Sequence, residues 1–406
     1  MKIFPLAYRN IWRRKTRSLT TIGAMALAGA IMIFYWGLMD GFLDVLERNL
    51  VMMNLGDVQI HKEGYRSDPD LYTRVEGYED ILEKLDAAGF LASPRLFGFG
   101  LAAHGQNSAG VSIMGVDIER EKKVTQTYKH LTAGQWLDDN DPTGVVVGVK
   151  LAKILDVKLG GELVLVSQSS DGAMANDLYR VRGVLKGVGD AVDRGSIFMT
   201  QGALRKFMAI PDGVHEIVIL RKDRTEPLDS ALETIKNVAG ENEVKSWKEL
   251  SPVMASLLDV SDASSIVMVL IMYSAVAMVT LNAMLMSVFE RIREFGIMKA
   301  LGVSPWQVMA IVFFEAAIQA AIACALAVAA GLPVSLYYEK HGIDLSSIGD
   351  GVSLGGVTMD PVWYTRVTSE SITTPVFTLV IIIFLAVLYP GLKAAVIQPV
   401  KAIHQL

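Results

Sequence analysis

Glu290, Arg291, Arg293, Glu294 and Lys299 alternate in sign between two stretches that carry no charge, Ala263–Phe289 and Ala316–Tyr338. Opposite charges three positions apart, Glu290 with Arg293 and Arg291 with Glu294, support an exposed helix. Gly302 suits the end of that helix, and Ser304-Pro305 opens the next in cap-then-proline order. The chemistry on offer is docking rather than bond making. Phe295, Ile297, Met298, Ala300 and Leu301 are suited to a partner's groove, and a generic amphipathic surface turn explains them equally well. Glu315 is the one acid within a long apolar stretch, where ionised groups are costly and are functional candidates by default. With Asn282, and with Gln319 nearby in sequence, it forms a candidate intramembrane polar site. A gating or proton-relay role competes there with simple packing polarity between helices.

Catalytic sets are missing from the sequence. There is no GxxxxGK[ST] phosphate loop and no HExxH, and the six histidines are scattered. No catalytic, cofactor-binding or metal-binding residue is therefore assigned. The glycines of FGFGLAAHG (Gly98, Gly100, Gly105) do not complete a dinucleotide fingerprint and read as turn glycines. Asp68, Asp70, Asp171 and Asp177 read as solvated loop acids. The single cysteine, Cys324, excludes an internal disulfide, and the net charge of -5 with no basic patch argues against nucleic acid.

These charges need elements to hold them, and the apolar stretches supply them. About 20 apolar residues cross a bilayer as a helix. The pattern predicts an α-helical membrane protein with four transmembrane helices and a large α+β extracytoplasmic domain between the first and second. Its expected parts are a basic amino-terminal segment (1–18), a first span (19–40), the external domain with stalk helices (41–262) and a second span (263–289). There follow the charged loop (290–307), a third span (308–338), an external loop (339–372), a fourth span (373–392) and a tail (393–406). Arg9, Arg13, Arg14, Lys15 and Arg17 precede the first span, whose core is too long for a signal peptide. Arg291, Arg293, Lys299, Lys393 and Lys401 fall on the same side, so the positive-inside rule puts both termini in the cytoplasm.

Within the external domain, Val145–Gln168 reads as strand, short helix, Gly160-Gly161 turn and strand. Tyr179–Val188 and Glu216–Arg221 suit strands, and Leu228–Ala239 has helical spacing. Gly41–Met53 continues the first span with amphipathic helical spacing. Gly23, Ala26, Ala30, Gly37 and Gly41 give small residues along the first span, which permits close helix contact and a dimer seam.

The segment ERIREFGIMKALG resembles the signature loop of FtsX-like ABC permeases, the group that includes MacB and LolC/LolE. Tyr389-Pro390-Gly391-Leu392-Lys393-Ala394-Ala395 with Pro399-Val400-Lys401-Ala402 resembles that family's carboxy-terminal pattern, and GVVVGVKLAKILDVKLGGELVLVS the core of its periplasmic domain. The resemblance covers nearly the whole chain. It implies a non-enzymatic permease subunit of the inner membrane that pairs with a second copy or paralogue and with two cytoplasmic ATPase subunits, which hold the ATP and Mg. It makes Glu294, Gly296, Lys299, Ala300, Leu301 and Gly302 the expected ATPase-coupling positions. It implies movement of the periplasmic domain that extracts or releases a lipoprotein or another amphipathic substrate. Mechanotransmission to a cell-wall hydrolase and MacB-like peptide efflux through a periplasmic adaptor are the alternatives.

Overall fold

Apolar sequence without charge closes its backbone hydrogen bonds within itself, and each of the four long apolar stretches forms one helix: Lys15–Leu50, Pro252–Glu290, Pro305–His341 and Ser369–Val396. Among the described residues these four are long and apolar enough to cross a membrane. Each extends beyond the span that hydropathy marks. The computed structural model describes residues 3–13, 15–223, 227–344, 352–354, 357–359 and 362–398, so Arg14 and the expected Pro399-Val400-Lys401-Ala402 motif lie outside it. The chain divides into two compact units, one comprising Met1–Asp44, Leu258–Ile348 and Val362–Leu406, the other Val45–Leu257 and Gly349–Pro361.

The first unit is a helix bundle. Met25, Met32, Tyr273, Phe295, Val312, Leu379 and Ile383 form its buried interior. The Tyr273 hydroxyl donates to the Pro375 carbonyl at 2.8 Å, so the second and fourth long helices share a buried polar contact. Small residues let the first and third approach. A Cβ on Gly331 would stand 2.9 Å from the Ala30 carbonyl oxygen. Further along, a Cβ on Gly41 would reach within 2.0 Å of the Tyr364 carbonyl oxygen, and the Gly37 carbonyl accepts the Arg366 amide at 2.8 Å. The small-residue stripe is thus occupied within the chain at Ala30, Gly37 and Gly41, whereas Gly23 faces open space.

The second unit is built on a ten-stranded sheet. Its strands are β1 (Val58–His61), β2 (Leu91–His104), β3 (Asn107–Val116), β4 (Leu131–Gly134), β5 (Gly144–Gly148), β6 (Glu162–Gln168), β7 (Met174–Leu185), β8 (Ser196–Thr200), β9 (Glu216–Leu220) and β10 (Glu243–Ser246). The pairings β2-β3, β3-β8, β8-β5, β5-β7, β7-β6 and β6-β2 close into a ring. Closure removes the free edges that an open sheet exposes. Ala102, Ile113, Val147, Leu163, Leu165 and Val181 fill the inner face. The amino-terminal part of β2, Leu91–Arg95, also pairs with β9, which passes the sheet on to β1 and β10.

Several local expectations coincide with observed elements. The strand–helix–turn–strand of Val145–Gln168 appears as β5, helix Val149–Leu155, a turn with Gly160 at φ 80° and β6. Helix Leu228–Ala239 and strand β9 also stand where periodicity puts them. The FGFGLAAHG glycines are a correction. Gly98 and Gly100 lie inside β2, and only Gly105 turns, at φ 59° before β3. Their missing side chains serve packing, because a Cβ on Gly100 would meet the Val166 carbonyl oxygen at 2.5 Å and one on Gly98 the Met208 methyl at 2.9 Å.

Candidate functional site

The charged turn forms a nine-residue helix, Ile292–Ala300, between the second and third long helices. It ends as the glycine foretold: Gly302 takes φ 94° and donates to the Lys299 carbonyl, while Val303 donates to Met298. The Ser304 hydroxyl then caps the third long helix by accepting the Gln307 amide, and the Gln307 side chain returns the bond to the Ser304 amide.

The turn helix has two faces. Phe295 and Gly296 are buried in the bundle, and the Arg291 guanidinium lies 4.8 Å over the Phe295 ring. Ile297, Leu301 and Trp306 face outward at 45%, 81% and 72% exposure, with Arg293, Ala300 and Gly302 beside them. Among the six expected contact positions, Ala300, Leu301 and Gly302 therefore lie on the open face. Lys299 is engaged inside the unit. Its ammonium donates to the carbonyls of Ala395 at 2.7 Å and Ile397 at 2.6 Å, closing off the end of the fourth long helix. Trp306 is an addition that the charge pattern did not mark.

Behind the open face lies a network of ion pairs. Arg291 donates to Glu294 at 2.9 Å and to Glu315 at 3.2 Å. Arg13, on the amino-terminal helix Ile3–Arg13, holds Glu294 at 2.8 Å. Arg17 holds Glu290 through two hydrogen bonds, the longer 2.7 Å. Burial acts to raise the Glu294 pKa, but hydrogen bonds from Arg291 and Arg13 outweigh it and hold the carboxyl below its usual range. A cavity of about 130 Å³ lies among these groups, lined in part by Asn10, Thr21, Ser287, Glu290, Glu315 and Gln319. Glu315 thus joins the turn to the third long helix. Asn282 is exposed on the second long helix, whereas Glu315 is buried.

The second unit presents a different feature. On the outer face of the strand ring, Phe99 and Leu101 on β2, Val164 on β6 and Leu178 and Met174 on β7 are exposed by 58%, 53%, 37%, 46% and 80%. Register makes them neighbours: Leu101 pairs with Val166, Ala103 with Val164, and Val164 with Leu178. Val164 opposes Leu178 and lies diagonally from Leu101, an exposed apolar cluster suited to an interaction surface, with Asn176 between Leu178 and Met174 along β7. Separately, a row of buried charge crosses β1, β9 and β2. Arg95 binds Glu121 at 2.6 Å and Glu216 at 3.0 Å, and His61 meets Glu216 at 3.2 Å. Every member is buried and partnered, so the row reads as structural. Among the described residues no group of three or more His, Cys, Asp or Glu could hold a metal ion.

Residues 266–399 match the family model described as FtsX-like permease C-terminal. An ABC transporter permease of Methanocaldococcus jannaschii is 22% identical over 328 residues, covering 77% of this chain and 78% of that protein. The lipoprotein-releasing system transmembrane protein LolC of Xylella fastidiosa is 22% identical over 409 residues, covering 95% of this chain and 93% of that protein. The periplasmic region of MacB from Actinobacillus actinomycetemcomitans overlays 49% of this chain and 91% of its own, at 14% identity and a TM-score of 0.36. The extracellular domain of the ABC-type transporter YknZ from Gram-positive bacteria overlays 47% of this chain and 98% of its own, at 14% identity and a TM-score of 0.34.

Proposed function

Proceeding from an FtsX-like ABC transporter permease, as residues 266–399 and the long-range relatives identify it, we propose that this subunit releases acylated or otherwise amphipathic cargo from the outer leaflet of the inner membrane. Two cytoplasmic ATPase subunits supply the energy, and a second permease copy or paralogue completes the assembly. The termini and the turn Ile292–Ala300 face the cytoplasm, and the strand ring faces the periplasm. The chain itself performs no bond chemistry; ATP and Mg belong to the partner.

Ile297, Leu301 and Trp306 provide the docking face for the ATPase, since they are large, apolar and open, while the charges behind them are already matched. Phe99, Leu101, Val164, Leu178 and Met174 provide the face for the cargo. That exposed apolar face is the observation that carries the reading, and the LolC relatives, named for lipoprotein release, agree with it. An acyl chain needs an apolar surface that water can reach when unloaded, and removal of such surface from water stabilises a complex by about 25 cal/mol per Å².

The test places a photo-crosslinking residue at Leu101 or Leu178 in the full chain in native membranes, followed by mass spectrometry of the adducts. Adducts with acylated lipoproteins, dependent on ATP turnover, support the reading. Adducts with a cell-wall hydrolase or an efflux adaptor instead would replace it.

A further inference from the structure

The amino-terminal helix Ile3–Arg13 carries a surface outside the faces proposed above for the ATPase and the cargo. Ala7 and Ile11, four residues apart, are buried against the bundle. On another side Tyr8 and Trp12, also four apart, are exposed by 49% and 46% and meet edge to face, ring centroids 6.4 Å apart. A Trp–Tyr pair left in the open is unusual for a soluble surface. At the boundary between acyl chains and headgroups such rings find both an apolar and a polar environment.

Charge points the same way. The sequence has no acid before Asp40, yet Lys2, Arg9, Arg13, Arg14, Lys15 and Arg17 all fall within its first 17 positions. Arg13 and Arg17 are matched by Glu294 and Glu290. Arg9 and Lys15 are exposed and make no ion pair among the described residues. Trp12, Lys15, Thr16 and Thr20 line an open groove where this helix meets the first long one.

We propose that this collar is an in-plane anchor for anionic phospholipid, with Arg9 and Lys15 on the headgroup phosphates and Tyr8 and Trp12 at the acyl boundary. It rests on the bundle crossing a bilayer and is independent of the cargo. The anchor also reaches the turn, because Arg13 on the same helix holds Glu294. Lipid charge at this collar therefore helps set the position of the face that meets the ATPase.

Full-length protein in detergent micelles is titrated with phosphatidylglycerol or phosphatidylcholine, and thermal unfolding is followed to give an apparent affinity for each. The wild type responds at lower concentrations of phosphatidylglycerol, and less so at high salt. The Arg9→Gln/Lys15→Gln variant loses about 30-fold in that affinity, converting about 1 kcal/mol per cation near an anionic surface. Arg9→Lys/Lys15→Arg keeps it, which separates lost charge from a damaged fold. Equal response to both lipids in the wild type, or an unchanged preference in the glutamine variant, would overturn the proposal. So would a change of oligomeric state in place of lipid response, since a second copy would then cover the collar. Extraction of the wild type from vesicles by alkaline carbonate would instead refute the membrane reading beneath it.

Discussion

Arg291→Met is the perturbation that probes the turn most sharply. The guanidinium is bonded to Glu315, whose side chain is 7% exposed, and to Glu294, whose side chain is 43% exposed, and it covers the Phe295 ring. These contacts differ in weight. Leaving one partner of a buried pair uncompensated costs about 3–5 kcal/mol. An exposed pair contributes about 0–1 kcal/mol, and the ring contact about 0.5–1 kcal/mol. Arg291→Met should therefore destabilise by roughly 3–5 kcal/mol, dominated by the stranded Glu315. Glu294→Gln should lie within about 1 kcal/mol of wild type. The double variant Arg291→Met/Glu315→Met removes both charges, and it should recover most of the loss because a buried pair replaced by apolar groups is near neutral. The assay is reversible unfolding of the full chain in mixed micelles, arranged as a double-mutant cycle. If the double variant were as unstable as the sum of the singles, the carboxylate would not be what makes Arg291 necessary.

Four other outcomes follow from the same geometry. Leu301→Glu and Trp306→Glu, both at exposed positions, should leave stability within about 0.5 kcal/mol while abolishing co-purification of the ATPase. Leu101→Glu should keep the fold but reduce cargo release in reconstituted vesicles, and full release would exclude the apolar face as the cargo surface. Gly41→Ala should destabilise by roughly 1–3 kcal/mol through overpacking against the Tyr364 carbonyl, read as a lowered unfolding midpoint. His215, buried and accepting the Phe97 amide on Nδ1, has its pKa lowered to about 4, mainly by burial, with Arg74, Asp70, Arg205 and Tyr65 around it. The unfolded chain takes the proton first, so stability should fall as pH drops from about 6.5 towards 4, by about 1 kcal/mol between pH 7 and 5.5. His215→Gln should flatten that part of the profile.

The sequence made the turn legible because its information is local. Charge alternation, Gly302 and Ser304-Pro305 act within a few residues, and each does in the structure what its chemistry dictates. The same holds for helix Leu228–Ala239 and for β5 through β6. What stayed hidden depends on distant partners. Lys299 belongs to Ala395 and Ile397, nearly a hundred positions away, and no helical spacing announces that. Gly98 and Gly100 look like turn residues until β6 and Met208 approach them. The buried row Arg95, Glu121, Glu216 and His61 is assembled from three strands and a helix, and each member alone looks like an ordinary surface charge. The strand ring is of the same kind, since closure is a property of pairings and not of any one strand.

The alternation along β2, β6 and β7 has an evolutionary consequence. Neighbouring residues on each strand answer to separate demands: Ala102, Leu163 and Leu165 to the interior, Leu101 and Val164 to whatever docks outside. Mutations at odd and even positions are thus filtered by unrelated selective pressures. A lineage can drift from one passenger to another by changing every second residue, with the scaffold beneath untouched. Relatives of this permease should accordingly diverge in their outer stripe well before they diverge in their inner one.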